Sequence, residues 1–572
     1  MSETPITGGA SGGTGGAASP PAGGDLAAIA KGGRTNFVGF LLRLAARLPF
    51  LFLAGRLYGP AELGRFASAL VIVELVAMLC TMGEKRGLAQ RLAEAGGPPD
   101  AASAEGANGA AAEEGSPGVV TSGAAASRLR EPAHLVFDGL LVALIAGAAA
   151  ALLLWWVPAP MFPSGDYNRL DRLIVLAIPA LALTEILLAA QAYRFDIAAT
   201  VRARAIVEPW TISLMVGLLW FVVPESGLPL AYLVSIYAAL ATAAWPFWRS
   251  YGRPRGWRPS LSRMRRLAWR GAPLAAADAI EWGTRRLDIF ILGLFAAPAA
   301  VGVYYVAQQV ASLPQKLKTS FEPILGPVLT RKVREHDYAA VARQVCQVGF
   351  WITAAQAGVA LALGIPGEAL MGLVGPNFVG GTGALAFLLA AEVVAATAVV
   401  SEAALVYVAR LRNLWLSIAT IVLQAVLTVA AMVLADRLDL PEHHRAALAA
   451  GALMAALGFA SVAKALLLGR ILGEKVNNWR WSLLWAAAGA IVVGQIVVLL
   501  PEWAELAIGM PLIMGVYGWI VWKRGFGPED RMLFRRKLTE EGDEDGPDEA
   551  HSGQAGSREG GSGGSTVSAA PR

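Results

Sequence analysis

Arg47-Leu48-Pro49-Phe50-Leu51-Phe52-Leu53 runs into Pro60-Ala61-Glu62-Leu63-Gly64-Arg65-Phe66, and Arg286-Leu287-Asp288-Ile289-Phe290-Ile291-Leu292 runs into Pro298-Ala299-Ala300-Val301-Gly302-Val303-Tyr304. Each unit is Arg-Leu, an apolar run, then Pro-x-x-x-Gly-x-aromatic, with arginine and proline 13 residues apart in the first and 12 in the second. Proline suits the first turn of a helix, and glycine lets a neighbouring membrane helix come close. The unit is therefore a pair of apolar helices joined by a tight turn. Its recurrence predicts a molecule made of two similar halves.

Working outward, apolar stretches of bilayer length recur from residue 36 to residue 522. At about 20 residues per span they fall near 36–57, 60–82, 132–157, 170–193, 205–223, 228–248, 271–295, 298–320, 345–366, 380–409, 413–435, 446–469, 482–500 and 504–522. Composition agrees: 55% of residues are hydrophobic and 16% charged, and mean hydropathy is +0.52, which excludes an ordinary soluble globule.

Lysine and arginine collect in every second gap, among them Lys85, Arg86 and Arg91; Arg194, Arg202 and Arg204; the run Arg249 to Arg266; Arg410 and Arg412; and Lys523 with Arg524. The gaps Val157 to Asn168, Val223 to Pro229, Ala296 to Ala300 and Ile365 to Val379 contain neither. By the positive-inside bias the basic gaps, and both termini, are cytoplasmic. Arg56 and Arg169 at span edges and Arg437 with Arg445 in one outside loop are the exceptions.

Because both copies of the repeat leave the cytoplasm in the same direction, they are related by an axis along the membrane normal. The expected fold is all-α: a polytopic membrane protein of about fourteen transmembrane helices, in two six-helix lobes related by a parallel pseudo-two-fold, plus two extra C-terminal helices. The division is 1–30 disordered cytoplasmic tail, 31–248 N-lobe with a disordered insert at 95–127, 249–270 basic lobe linker, 271–470 C-lobe, 480–523 extra helix pair and 524–572 disordered cytoplasmic tail. The Gly/Ala/Ser-rich composition of the two tails and the insert cannot bury a core, and the first thirty residues lack the pattern of a cleaved signal peptide.

Arg56-Leu57-Tyr58-Gly59-Pro60-Ala61-Glu62-Leu63-Gly64-Arg65-Phe66, Leu287 to Gly293 with Val301-Gly302-Val303-Tyr304, and Val374-Gly375-Pro376-Asn377-Phe378 carry a resemblance over roughly 31 to 525. The chain resembles the polysaccharide and lipopolysaccharide flippases of the multidrug/oligosaccharidyl-lipid/polysaccharide exporter superfamily. The resemblance implies a two-lobed transporter of the bacterial inner membrane that moves a polyprenyl-diphosphate-linked glycan by alternating access. It further implies membrane lipids, a polysaccharide polymerase and chain-length proteins as partners.

Charges inside the spans are where chemistry is expected. Asn36, Arg43 and Arg47 lie within about 40° of one helical face, and Asp278, Glu281, Arg285 and Asp288 within about 80° of another. A mid-bilayer arginine costs about 2.5–3.5 kcal/mol even on lenient scales, so these groups should face protein or water. One reading has Arg43, Arg47, Arg285 and Arg286 lining a vestibule and gripping a diphosphate or acidic sugar, for which the planar guanidinium fork is suited. In the other, Glu281 and Arg285 form a structural i,i+4 pair and Arg43 snorkels. Lys316 and Lys318 are expected to guide an anionic head group, with snorkelling the alternative. Asp278, Glu281 and Asp288 are the expected sites of proton or sodium coupling. Glu74, Glu185, Glu208, Glu392 and Glu402 are read as satisfied interhelical hydrogen-bonding groups.

No cofactor is expected, and no P-loop, His-Glu-x-x-His pair or Gly-x-Ser-x-Gly elbow occurs. Cys80 and Cys346 are too far apart in sequence to suggest a disulfide framework or metal cluster, and no motif for nucleic acid is present. An enzyme is not expected. Two rivals stay open: a cation-coupled drug or metabolite antiporter of the same fold, whose cavity would be rich in carboxylates and aromatics, and a membrane glycan polymerase.

Overall fold

The computed structural model describes residues 48–96, 130–194, 196–252, 256–315, 332–333, 335, 337–527 and 530. Asn36, Arg43, Arg47, Lys316 and Lys318 lie outside the described residues, as do most of the insert and both tails.

The described residues are almost wholly helical and contain no strand. The first described residues, 48–53, are helical; the helix loosens into a π-helical turn over Ala54–Tyr58 and breaks at Gly59. The φ of Gly59 is +76°, a conformation that is unstrained without a Cβ. The first half continues with α1 (Gly59–Cys80), α2 (Glu84–Gly96), α3 (Arg130–Trp156), α4 (Ala177–Tyr193), α5 (Glu208–Trp220) and α6 (Gly227–Tyr251). The second comprises α7 (Leu261–Phe295), α8 (Pro298–Gln315), α9 (Tyr338–Gly364), the short α10 (Gly367–Val374), α11 (Thr382–Val408), α12 (Arg410–Arg437) and α13 (Glu442–Leu472). Then come α14 (Trp481–Val497) and α15 (Met510–Ile520).

Nine helices among the described residues are long and apolar enough to cross a membrane, against the fourteen or so expected. Three of the five missing spans have local causes. The 48–80 stretch counts once although Gly59 divides it; a π-helical turn at Val201–Val207 leaves α5 with 13 residues; α14 has 17.

The two copies of the repeat pack on each other. The space a side chain would need at Gly64 is filled by the backbone of Pro298 and Gly302, and the space at Gly302 by the backbone of Pro60 and Gly64. This reciprocal exchange brings α1 and α8 to backbone contact, which only glycine allows. Val374 and Phe378 fill the corresponding space at Gly55, and Arg56 Nε donates to the Leu373 carbonyl at 3.1 Å. All three motif segments thus meet at one end of the seam between the halves.

A hydrogen bond and an ion-pair cluster at this end account for two of the exceptions to the charge pattern. Arg56 caps the last turn of α10, and Arg445 is bound by Asp436 and by Glu442, the latter at 3.7 Å, while donating to the Phe295 carbonyl at 3.2 Å. At the opposite end the Met82 carbonyl occupies the space beside Gly271 of α7. Buried Asp138 of α3 accepts from Trp257 Nε1 at 2.9 Å and pairs with Arg263 Nε at 3.1 Å, fixing the linker to the first half.

The extra pair α14 and α15 packs on α9, latched by a residue beyond the expected boundary at 523. Asp530 accepts from Gln347 Nε2 (2.9 Å), Trp351 Nε1 (3.1 Å), the Gly527 N–H (2.9 Å) and Arg480 Nη1 (3.1 Å). Burial by itself would raise the Asp530 pKa, but these donors and the Arg480 charge hold it below the ordinary carboxylate value. A depressed folded pKa stabilises the fold above the unfolded value of about 4, and that contribution is lost as pH falls through the folded value. Asp530→Asn is therefore expected to cost about 1–3 kcal/mol at pH 7. The difference in thermal unfolding between the two proteins should narrow as pH falls below about 4, read in detergent across a pH series.

Candidate transport cavity

A cavity of about 410 Å³ lies between the two halves. Leu48, Phe50, Leu51, Phe66 and Leu70 supply apolar wall from the first half, and Val310, Leu313, Leu363 and Leu370 from the second. Set into this wall are five ionisable groups that a hydrocarbon environment would not tolerate unpaired: Glu74, Glu185, Arg204, Glu208 and Arg286. Thr81, Tyr232, Ser235, Trp282, Tyr305, Gln309 and Ser312 complete its polar surface.

The charges fall into two clusters. In the first half Arg204 Nη1 donates to Glu208 Oε2 at 2.6 Å and Nη2 to Glu185 Oε1. Two carboxylates thus hold one guanidinium. Arg204 sits in the π-helical turn leading to α5. Its charge suggests a cytoplasmic gap, but its side chain is 16% exposed and turned to α4. In the second half Arg286 of α7 donates through Nη1 to Gln308 Oε1 at 2.9 Å, while its Nη2 stands 3.8 Å from Glu74 Oε2 of α1. That last pair crosses the seam at a separation too long for a hydrogen bond.

Behind Arg286 a buried network sets its position. Gln308 Nε2 donates to Asp288 Oδ2 at 3.2 Å and to the Arg285 carbonyl at 3.3 Å, and Tyr304 Oη donates to the same Asp288 carboxylate. Asp288 and Tyr304 are fully buried.

Of the residues expected to bind substrate or couple ions, Arg286 alone borders the cavity among those described. Asp278 is buried in α7, Asp288 lies one glutamine behind Arg286, and Arg285 points elsewhere, half-exposed and 3.2 Å from Glu281. The i,i+4 pair is thus the arrangement Arg285 adopts. Glu74, Glu185 and Glu208, read as interhelical hydrogen-bonding groups, are cavity wall. Arg204, Tyr232, Trp282 and Tyr305 were not singled out as site residues. The i,i+4 spacing of Arg204 and Glu208 was the available signal for the first.

Residues 139–355 match the profile of a family described as "Polysaccharide biosynthesis protein". The architecture matches a multidrug resistance MATE family transporter of the MOP superfamily in an inward-facing conformation, with TM-score 0.56 and 13% identity over 75% of this chain and 98% of that one. The fold is that of a MOP superfamily transporter. The MOP fold also relates the chain to the lipid II flippase MurJ in an inward closed conformation, with TM-score 0.55 and 11% identity over 88% of this chain and 100% of that one. A MOP superfamily transporter from Pyrococcus furiosus matches with TM-score 0.51 and 11% identity over 78% of this chain and 95% of that one. No curated protein matches the chain in sequence. The family profile and the MOP fold agree with the flippase resemblance carried by residues 56–66, 287–304 and 374–378, and the chain is a multi-pass membrane protein.

Proposed function

We propose that the chain is a flippase that moves a polyprenyl-diphosphate-linked oligosaccharide or polysaccharide unit from the cytoplasmic to the outer leaflet by alternating access, in cell-surface polysaccharide biosynthesis. The observation that carries this reading is Arg286. Its guanidinium faces an interlobe cavity, is positioned from behind by Gln308, and stands beyond hydrogen-bond reach of the Glu74 carboxylate. A diphosphate entering the cavity offers that fork oxygens at bonding distance. The lipid tail stays in the bilayer, and rocking of the halves exposes the head group on the far side.

Arg43 and Arg47 belong to the same proposal, since Leu48, Phe50 and Leu51, which follow them, border the cavity. Lys316 and Lys318 are proposed to guide the head group inward. Asp278, Glu281 and Asp288 are the proposed coupling groups for protons or sodium, with Asp288 linked to Arg286 through Gln308. We place the protein in the bacterial inner membrane with both termini cytoplasmic, acting with a polymerase and chain-length proteins. The name of the lipid II flippase with the same fold, and the polysaccharide-biosynthesis profile, support a lipid-linked glycan.

A second reading draws on Glu74, Glu185 and Glu208 beside Tyr232, Trp282 and Tyr305: a cation-coupled drug or metabolite antiporter. Proteoliposomes holding the full chain separate the two. Labelled lipid-linked oligosaccharide on one leaflet should become accessible on the other, whereas an organic cation should not exchange against a proton or sodium gradient. Cation exchange without lipid movement overturns the flippase reading, and lengthened glycan in the same vesicles would mark a polymerase.

A further inference from the structure

We infer that the start of α7, with the linker residue before it, is a docking surface for the anionic phospholipid head groups of the leaflet it faces. The helix has 35 residues and so is about 52 Å long, against about 30 Å of hydrocarbon. Its first turns therefore stand clear of the apolar slab. Pro273 marks the boundary, since it removes the hydrogen bond that the Trp269 carbonyl would otherwise receive.

Leu261, Arg265 and Trp269 follow one another at four-residue intervals and share one face, flanked by Arg266 and Arg270. Leu261 is 82% and Trp269 76% exposed, while Leu267 on the opposite face is buried. Arg258, Arg265, Arg266 and Arg270 are exposed as well, and no aspartate or glutamate occurs from Arg249 to Ala277. Arg263 is already taken by Asp138, which fixes the segment against α3 and sets its facing. A large apolar ring and a leucine uncovered between guanidinium groups fit the head-group layer: the indole seats at the interface and the forks take lipid phosphates. A soluble acidic partner would leave Leu261 and Trp269 without apolar cover. This surface is distant in sequence from the cavity-lining part of α7, and the inference stands whatever the cavity carries.

The test uses the full chain in nanodiscs of mixed phosphatidylglycerol and phosphatidylcholine, with retained lipid counted by mass after stepwise delipidation. Wild type should retain phosphatidylglycerol over phosphatidylcholine by about threefold or more. The triple variant Arg265→Gln, Arg266→Gln, Arg270→Gln should fall to near parity, with Trp269→Ala between them. Salt of about 0.5 M should erode the wild-type preference, an arm that decides the matter if the triple variant does not fold. A triple variant that keeps the preference, a wild type indifferent to salt, or displacement of the lipid by millimolar inorganic phosphate would each overturn the docking surface.

Discussion

A disulfide between Ser68→Cys and Gly293→Cys is expected to form on mild oxidation and to arrest transport, with a reductant restoring it. Ser68 lies on α1 of the first half and Gly293 on α7 of the second. A Cβ placed on Gly293 would sit 3.9 Å from the Cβ of Ser68, inside the range of about 3.5–4.5 Å that a disulfide spans. The bond would tie the halves together at the end where Gly64 and Gly302 exchange backbone contacts. Alternating access requires that end to part, because the cavity cannot empty to the far side while α1 and α8 touch. Delivery should fall by at least about tenfold in the oxidised protein, as for any enzyme or carrier whose opening step is blocked. The assay is done with Cys80 and Cys346 replaced by alanine, and each single cysteine variant serves as the control that oxidation should not affect. A cross-linked protein that transports at the reduced rate would show that this contact is permanent scaffold.

Arg286→Ala is expected to lower outward delivery of the lipid-linked glycan by about ten- to a hundredfold, or about 1.4–2.7 kcal/mol of lost stabilisation. On the proposed flippase function two effects combine. The substrate would lose the fork proposed to grip its phosphates, and Glu74 is left in a low-dielectric wall, lined also by Glu208 and Glu185, with one cation fewer. Arg286→Lys should retain part of the activity, since charge survives but the planar paired donors do not. Glu74→Gln separates the effects: it removes the competitor for Arg286 while keeping the shape of the wall, so head-group binding should tighten and release become slower. Initial rates at several substrate densities, in protein matched for expression and monodispersity, read both. Full activity in Arg286→Ala would place the diphosphate elsewhere.

The motifs and the cavity were legible to different degrees, for physical reasons. Pro60-x-x-x-Gly64 and Pro298-x-x-x-Gly302 announce themselves because backbone contact between membrane helices demands small residues at fixed spacing. That the two motifs contact one another, with Gly55 closing on Val374 and Phe378, is a long-range fact that no local pattern carries. Among the charges, helical periodicity placed Asp278, Glu281, Arg285 and Asp288 on one broad face. Along that arc the surroundings differ: Asp288 is sealed by Tyr304 and Gln308, and Arg285 and Glu281 are half-exposed. Arg286, one residue on from Arg285, meets Glu74 across the seam.

Hydropathy and charge alternation determined by themselves that this chain is an all-helical membrane protein, because water-to-lipid transfer and helix geometry act on local stretches. Only the tertiary structure decided which charges share a cavity. Arg204 reads as one more cytoplasmic arginine until the fold sets it between Glu185 and Glu208. The reason is that the cost of a buried charge depends on partners supplied by other helices, and those partners, 19 residues away for Glu185 and 212 for the Glu74 of Arg286, are chosen by packing.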